Sequence, residues 1–369
     1  MNRAYRLFAE TERKILSGDY GCSGARMPTV RDFAKEQICS FRCAMEVYGR
    51  LIERNLLHRV GNKYFVTTGR CAPCSEYGKE LSNCQHKVFG ALIRDSSNPF
   101  FALLMQKLQE SLGREGMDLV ISASNGELLR ESHIMNLFLD MKCQGVFVCV
   151  PLNESLRNIL EHYPLPVVVL AEECDLAGIS SVTVDNFAAG EQVAKHLLMS
   201  GCCSFAYVTV DDYLDTDLRL KGYTKFLSSN SVADGDIAIT VVSATDENLR
   251  KTKISGFVRE LYKHVNSNCL PIGVFCVHDL LALEIMRAIH LEGIGRNAEL
   301  RIPEDIKIVG FDDLPQASIV SVPITTVSYP YSSMAEAALI QMKQYLRDIN
   351  AVPVDSMVDC HLVIRRSSN

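Results

Sequence analysis

The chain has 369 residues, of which 47% are hydrophobic, and a formal net charge of −6. A polypeptide this apolar is not disordered, and its length calls for two or three compact units. No stretch approaches the roughly 18 uninterrupted apolar residues of a membrane helix, and the opening MNRAYRLFAE mixes both signs of charge where a secretory leader would not. A cytoplasmic location without a membrane partner is therefore expected. The chain has 14 cysteines, but most sit in apolar runs such as GVFVCV and PIGVFCV, where a reduced thiol behaves as a small hydrophobe. A disulfide framework is not expected. Residues 1–70 hold 13 Lys and Arg against 7 Asp and Glu, a net of +6 that leaves −12 for the remainder. A small basic head on a large acidic body points to a polyanion-binding module joined to one that must avoid polyanions.

In chain order, RAYRLFAETERKILS places Tyr5, Phe8, Ala9, Ile15 and Leu16 at spacings one helix face allows, and Gly18 ends the run. Pro28-Thr29 opens a second short helix, with Thr29 as N-cap and Phe33-Ala34 facing inward. Ser40 caps a third that runs to about Asn55 and buries Ala44, Val47, Leu51 and Ile52. LLHRVGNKYFV then reads as two short strands around Gly61-Asn62, a dipeptide that tolerates positive φ. Three helices and a hairpin over residues 1–66 make a winged helix-turn-helix.

Free N–H groups and the positive end of the dipole make a helix N-terminus suited to phosphate, and a helix presented at an angle can show its first turn to base edges in the major groove. Here that turn is Ser40, Phe41, Arg42 and Cys43. Arg42 is placed to make a bidentate contact to guanine. Thr29, Arg31 and Lys63 are candidates for phosphates, with Gly61 at the tip of the wing. Phe41 has two readings, contact with a thymine methyl or simple packing. For any single arginine a solvated surface charge is the plainer reading; the agreement of turn, cap, wing and charge favours double-stranded DNA as partner.

Residues 67–86 have weak periodicity and read as a linker. Cys71, Cys74, Cys84 and His86 offer three sulfurs and one imidazole, a set that suits tetrahedral zinc. Only the first pair has a metal-like spacing, so a plain linker is preferred and no metal or other cofactor is expected.

From residue 87 apolar strands alternate with amphipathic helices. KVFGALI, MDLVISA, CQGVFVCV, PVVVLAE, SFAYVTV, DIAITVVSA, PIGVFCV and IKIVGFD are the strand candidates. Regular βαβα alternation means an α/β, doubly wound parallel architecture. Some 280 residues of it exceed one core, so two lobes are expected over residues 87–369. Asn98, Phe100 and Phe101 follow a strand end, Asp185 precedes a helix, Arg219 opens one, and Asp279 follows another strand. Aromatic faces, a guanidinium and carboxylates at strand ends suit a polyhydroxylated small molecule. Taken singly, the phenylalanines are as well read as core and Asp279 as a helix cap. No G-x-S-x-G elbow, Walker loop, HExxH or strand-borne G-x-G-x-x-G occurs, so no enzyme activity is expected; a sugar-acting enzyme is the distant alternative.

Two resemblances follow from these motifs. Residues 3–66, through the SG turn, the Pro-Thr-x-Arg opening, Ser40 and the wing glycine, resemble the winged helix of the GntR family of bacterial regulators. The family usually runs Ser-Arg-Thr-Thr at the recognition helix where this chain has Ser40-Phe41-Arg42-Cys43, so its base-reading positions differ. Residues of about 88–347, through SNPFF, SVTVDN, RLKGY, HDLLAL, RIPEDIKIVGFDD and ITTV in that order, resemble the LacI/GalR repressors and the periplasmic sugar-binding proteins. That resemblance implies that Asn98, Phe100 and Phe101 form a sugar-stacking loop, Arg219 chelates ligand, Asp279 is the ligand carboxylate, and Asp185 lies near the cleft. His278 stands where the family has Asn, and Ala171-Glu172 where it has Asp-Arg. The family fold also implies three passages between lobes, with 87–182 and 307–327 in the first and 183–306 and 328–369 in the second. Together the readings describe a one-component transcription regulator. It is expected to be a homodimeric repressor whose hold on operator DNA answers to a carbohydrate between the lobes, or alternatively to a non-sugar such as a nucleobase.

Overall fold

The computed structural model describes residues 3–17, 19–20, 24–54, 56–61, 63–67, 87–211, 217–233, 237–265, 270–296, 300–348 and 351–369. Cys71, Cys74, Cys84 and His86 lie outside the described residues. The chain divides into two compact units, Met1–Gln85 and His86–Asn369. No helix among the described residues is long and apolar enough to cross a membrane.

The first unit is built from α1 (Arg3–Ser17), α2 (Val30–Glu36) and α3 (Phe41–Glu53), followed by the antiparallel strands β1 (Leu57–Val60) and β2 (Lys63–Val66). Its caps are those the sequence calls for. Thr29 Oγ1 accepts from Asp32 N at 3.2 Å, and Ser40 Oγ accepts from Cys43 N at 3.2 Å, each satisfying an amide that would otherwise face no partner. Tyr48 Oη donates to the Pro28 carbonyl at 2.8 Å, tying the turn before α2 to the middle of α3. Phe8, Ile15, Phe33, Val47, Tyr48, Leu51 and Val66 form the core, with Tyr48 edge-on to Phe33 and Tyr64 at centroid distances of 5.2 and 4.8 Å. Gly61, at φ +60°, makes the turn between β1 and β2, and Arg26 bridges to Phe65 as a third strand residue. This is a winged helix-turn-helix. Four expected core residues are not in it: Tyr5, Leu16 and Ile52 are 47%, 51% and 36% exposed and Ala9 is exposed as well, because the inward positions are already filled by Phe8, Ile15, Val47 and Leu51.

The second unit has two six-stranded sheets. The first is fully parallel, in the order β13-β7-β6-β5-β3-β4. Its strands are β3 (Lys87–Ile93), β4 (Met117–Ala123), β5 (Val146–Cys149), β6 (Val167–Leu170), β7 (Ser180–Val184) and β13 (Asp355–Val358). The helices α4 (Pro99–Arg114), α5 (Leu128–Asp140), α6 (Glu154–Leu160) and, from late in the chain, α12 (Tyr331–Arg347) belong with it. The second sheet runs β14-β12-β11-β10-β8-β9, parallel except for β14. Here the strands are β8 (Ser204–Val210), β9 (Ile237–Val242), β10 (Ile272–Cys276), β11 (Ile306–Asp312), β12 (Thr325–Ser328) and β14 (His361–Val363). They pack with α7 (Asn186–Met199), α8 (Leu218–Ser229), α9 (Glu247–Val265), α10 (Asp279–Arg296) and the short α11 (Pro315–Ile319). Cys149, Cys202 and Cys276 are buried free thiols in this core.

The chain passes between the lobes near residues 185, 329 and 359, which corrects the division expected from sequence. Residues 307–327 belong to the second lobe, since β11 pairs in parallel with β10 and β12. Residues from Tyr331 to Val358 belong to the first. There α12 lies on α4, and a Cβ on Gly145 would come within 2.5 Å of Met342 Sδ. The physical cause is the burial of IKIVGFD on both faces, a pattern that needs a central strand with covered neighbours.

Candidate functional site

The first unit presents α3 by its N-terminus. Phe41 is 52% exposed, so of its two readings the packed one fails. Arg42, Met45 and Arg31 are exposed as well, Lys63 is exposed beside the exposed Gly61, and Cys43 is half-buried. Thr29 differs from expectation. Its hydroxyl also donates to Asp32 Oδ2 at 2.5 Å, so both its hydrogen-bonding functions serve the helix cap rather than a phosphate.

In the second unit a cavity of about 680 Å³ opens where the strands of both sheets end, the place where doubly wound folds hold ligands. Asn98 caps α4, its Oδ1 accepting from Phe100 N at 3.0 Å, and this holds Phe100 at the cavity wall. The Phe100 ring stands edge-on to Tyr329 and Phe101, at 4.9 and 5.2 Å between centroids. Phe101 is 7% exposed and chiefly core.

Arg219, in the first turn of α8, is fixed on three sides. Its Nε donates to Asn186 Oδ1 at 2.8 Å and a terminal nitrogen donates to the Val277 carbonyl at 2.5 Å. Its guanidinium carbon lies 3.5 Å from the centre of the Phe311 ring. Asp217 starts that helix: Oδ1 accepts from Leu220 N at 3.0 Å, and Oδ2 from Tyr207 Oη at 2.7 Å and Thr209 Oγ1 at 3.0 Å. The close crossing of α7 and α8 brings Arg219 to Asn186. Two glycines allow it, since a Cβ on Gly190 would lie 2.1 Å from the Arg219 carbonyl and one on Gly222 2.0 Å from that of Phe187.

Two expected ligand residues do not line the cavity. Asp185 caps α7, Oδ1 accepting from Ala188 N at 2.8 Å, and its neighbour Asn186 takes the cavity position. Asp279 is fully buried and turned away. Its Oδ1 accepts from Thr326 Oγ1 at 2.7 Å and Oδ2 from Leu314 N at 2.8 Å, tying the start of α10 to the segments after β11 and in β12. Gly310 makes room, for a Cβ there would sit 2.1 Å from Asp279 Oδ1. Burial pushes the Asp279 carboxyl up to about 7 against the pull of those two hydrogen bonds.

Its predecessor His278 lines the cavity instead. Nδ1 accepts from Leu281 N at 3.0 Å, so Nδ1 is the unprotonated nitrogen and Nε2 carries the hydrogen of a neutral ring. Burial, with Arg219 and Arg250 nearby, holds the imidazole down at about 4. Glu172 also lines the cavity. It follows Ala171, which is held at φ +65°, and burial raises its carboxyl to about 7 despite Arg219 and Arg94. Asp312, at the end of β11, has φ +104° and is 5% exposed; burial drives its carboxyl well above the usual range, Arg219 opposing. Non-glycine residues in left-handed backbone are costly and gather at binding sites. Sequence reading passed over Asp312, Tyr329 and Arg250. The signal available for the first two was position, a polar side chain at or just past the end of a buried strand.

A family model described as a periplasmic binding protein-like domain matches residues 194–368. The HTH-type transcriptional repressor PurR of Aliivibrio fischeri is 24% identical over 327 residues, 87% of this chain and 93% of that protein. The ribose operon repressor of Escherichia coli is 26% identical over 272 residues, 72% of this chain and 77% of that one. A LacI family transcriptional regulator from Enterococcus faecium, solved with bound ribose, superposes with a TM-score of 0.64 at 19% identity, covering 76% of this chain and 98% of its own. The second unit has the two-lobed α/β fold of periplasmic-binding-protein-like domains, the fold it shares with that LacI family structure.

Proposed function

We propose that this protein is a DNA-binding transcription regulator, a repressor, whose affinity for operator DNA is set by a small polar ligand in the cavity of the second unit. The observation that carries this reading is the division of one chain into an exposed, basic winged helix and a two-lobed body with a polar cavity at its strand ends. The similarity to PurR and the ribose operon repressor over most of their lengths supports it. The head is of GntR type: the Thr29 and Ser40 caps, the bridge from Arg26 to Phe65 and the turn at Gly61 support that assignment. Arg42, with Phe41 beside it, reads base edges, while Arg31 and Lys63 hold phosphates. The effector is a carbohydrate. Phe100 and Tyr329 offer it ring faces, and Arg219, Asn186 and His278 offer donors and acceptors. The chain works as a homodimer, since one reading head of this size supplies too little specificity for a genome.

Selection of a binding sequence from a random duplex pool, followed by titration with Arg42→Ala, tests this reading. The substitution is expected to weaken binding to the selected sequence by about 1–3 kcal/mol, with most of the loss in discrimination between bases, and to leave ligand affinity unchanged. No enrichment from the pool, or undiminished selectivity in the variant, counts against it.

A further inference from the structure

The cavity carries more acid than base. Among the described residues, its wall holds six carboxyls and four guanidiniums, with no lysine. Most of these charges already have partners. Arg250 Nε is ion-paired with Glu284 Oε2 at 3.2 Å without hydrogen-bond geometry, while a terminal nitrogen donates to the Ala244 carbonyl at 3.3 Å. Arg157 is bound to Asp175 and, at 3.0 Å, to the Leu152 carbonyl. Arg219 is held by Asn186, Val277 and the Phe311 ring, and the Asp217 carboxyl accepts from three donors. Leaving aside the exposed Glu173, three groups stand apart. The carboxyls of Glu172 and Asp312 accept no hydrogen bond from any described residue, and the buried Tyr329 hydroxyl has no partner.

These three groups gather from both lobes. Glu172 follows β6 in the first lobe, Asp312 ends β11 in the second, and Tyr329 lies at a passage between them. All three line the one cavity, together with Arg219 and Arg94. With more carboxyls than guanidiniums in the wall, the cavity is net negative when its acids are ionised, and a bound cation offsets the cost of burying that charge. Ionised carboxyls only accept hydrogen bonds, whereas an ammonium group brings three donors and the missing charge. The faces of Tyr329 and Phe100 add the quadrupole that attracts a cation.

We propose that Glu172 and Asp312 are the two arms of an ammonium receptor, so that the effector is an amino-bearing polyhydroxylated molecule, bridging the lobes through its nitrogen. This inference rests on the reading of the cavity as the effector site. The remaining donors, among them His278 and Arg219, are left to the hydroxyls of such a ligand.

Full-length protein is titrated calorimetrically at pH 7.5 with the matched pairs D-glucosamine and D-glucose, D-galactosamine and D-galactose, and D-mannosamine and D-mannose. DNA retention is measured in parallel. In at least one pair the amine is expected to bind tenfold or more tighter than its neutral partner. Asp312→Asn and Glu172→Gln, both near-isosteric, should each reduce that ratio at least fivefold. The inference is overturned if the neutral sugar binds as well as the amine in every pair, if no amine binds, or if the preference survives both substitutions. A neutral sugar that binds and changes DNA retention removes the ammonium receptor and keeps the effector site. An amine that binds with the stated preference and leaves DNA retention unchanged keeps the receptor and removes its regulatory role.

Discussion

At the residue scale, three acids in this cavity region show how burial alone assigns different work to one chemical group. Asp217 is satisfied by three donors and anchors α8. Asp279 is satisfied by two and anchors α10, while Glu172 has none and faces the cavity. Asp279→Ala should therefore act on stability, leaving Thr326 and the Leu314 amide unmet at a cost of about 2–4 kcal/mol in urea unfolding. Arg219→Ala should act mainly on ligand affinity. Equal stability losses from the two would mean that Asp279 is not structural. Glu172 makes a pH prediction. Its folded carboxyl titrates at about 7, above the ordinary 4.5, so the folded state holds the proton more tightly. The stability this contributes is fully present below the unfolded value and is lost as pH rises through about 7. His278 and Asp279 shift in opposite senses but are common to wild type and Glu172→Gln, so they cancel in the comparison. The melting temperature of Glu172→Gln relative to wild type should rise between pH 5 and pH 8 by roughly 2–4 °C, about 1 kcal/mol after discounting for water at a cavity-facing group. A flat or falling difference would show that Glu172 is solvated and unshifted. Arg219 was placed by the resemblance that RLKGY carries, and it does lie at the cavity wall. Asp279 was misplaced because its partner Thr326 is 47 residues away, and adjacency in sequence does not say whether His278 or Asp279 turns inward.

At the scale of elements, the strands that were readable are those written as apolar runs, the edge strand MDLVISA, Met117–Ala123, as well as the fully buried ones. SFAYVTV and IKIVGFD have the bounds their apolar runs imply, Ser204–Val210 and Ile306–Asp312. SSVTV, the buried strand Ser180–Val184, escaped notice because two of its serines find partners only in the fold: Ser180 Oγ meets Tyr345 Oη at 2.9 Å and Ser181 Oγ donates to Asp355 at 2.6 Å. The same long-range pairing explains why the lobe of each late segment was not readable, since alternation of strand and helix carries no label for the sheet it joins. The crossing of α7 on α8 is the element on which the site most depends. Gly222→Ala would set a Cβ against the Phe187 carbonyl, a backbone atom that cannot rotate away. Overpacking of this kind costs about 1–3 kcal/mol, and separating the helices also parts Arg219 from Asn186. A fall in both urea midpoint and ligand affinity is expected; unchanged values for both would mean that the crossing has slack.

For the whole molecule, the separation of charge between the net +6 of residues 1–70 and the net −12 of the rest gives each unit one kind of partner. The head has the charge for a duplex, and the acidic body is repelled by one. If both act in one regulator, thermodynamic linkage requires that ligand and DNA change each other's affinity by the same factor, typically about 5- to 150-fold. The most direct measurement is the affinity of the full chain for its selected duplex, with and without a saturating compound that raises its melting temperature. The account predicts duplex binding that weakens steeply with salt and shifts at least fivefold when the cavity is filled. Affinity for duplex that stays the same with the cavity empty or full, or no affinity for duplex at low salt, would contradict it.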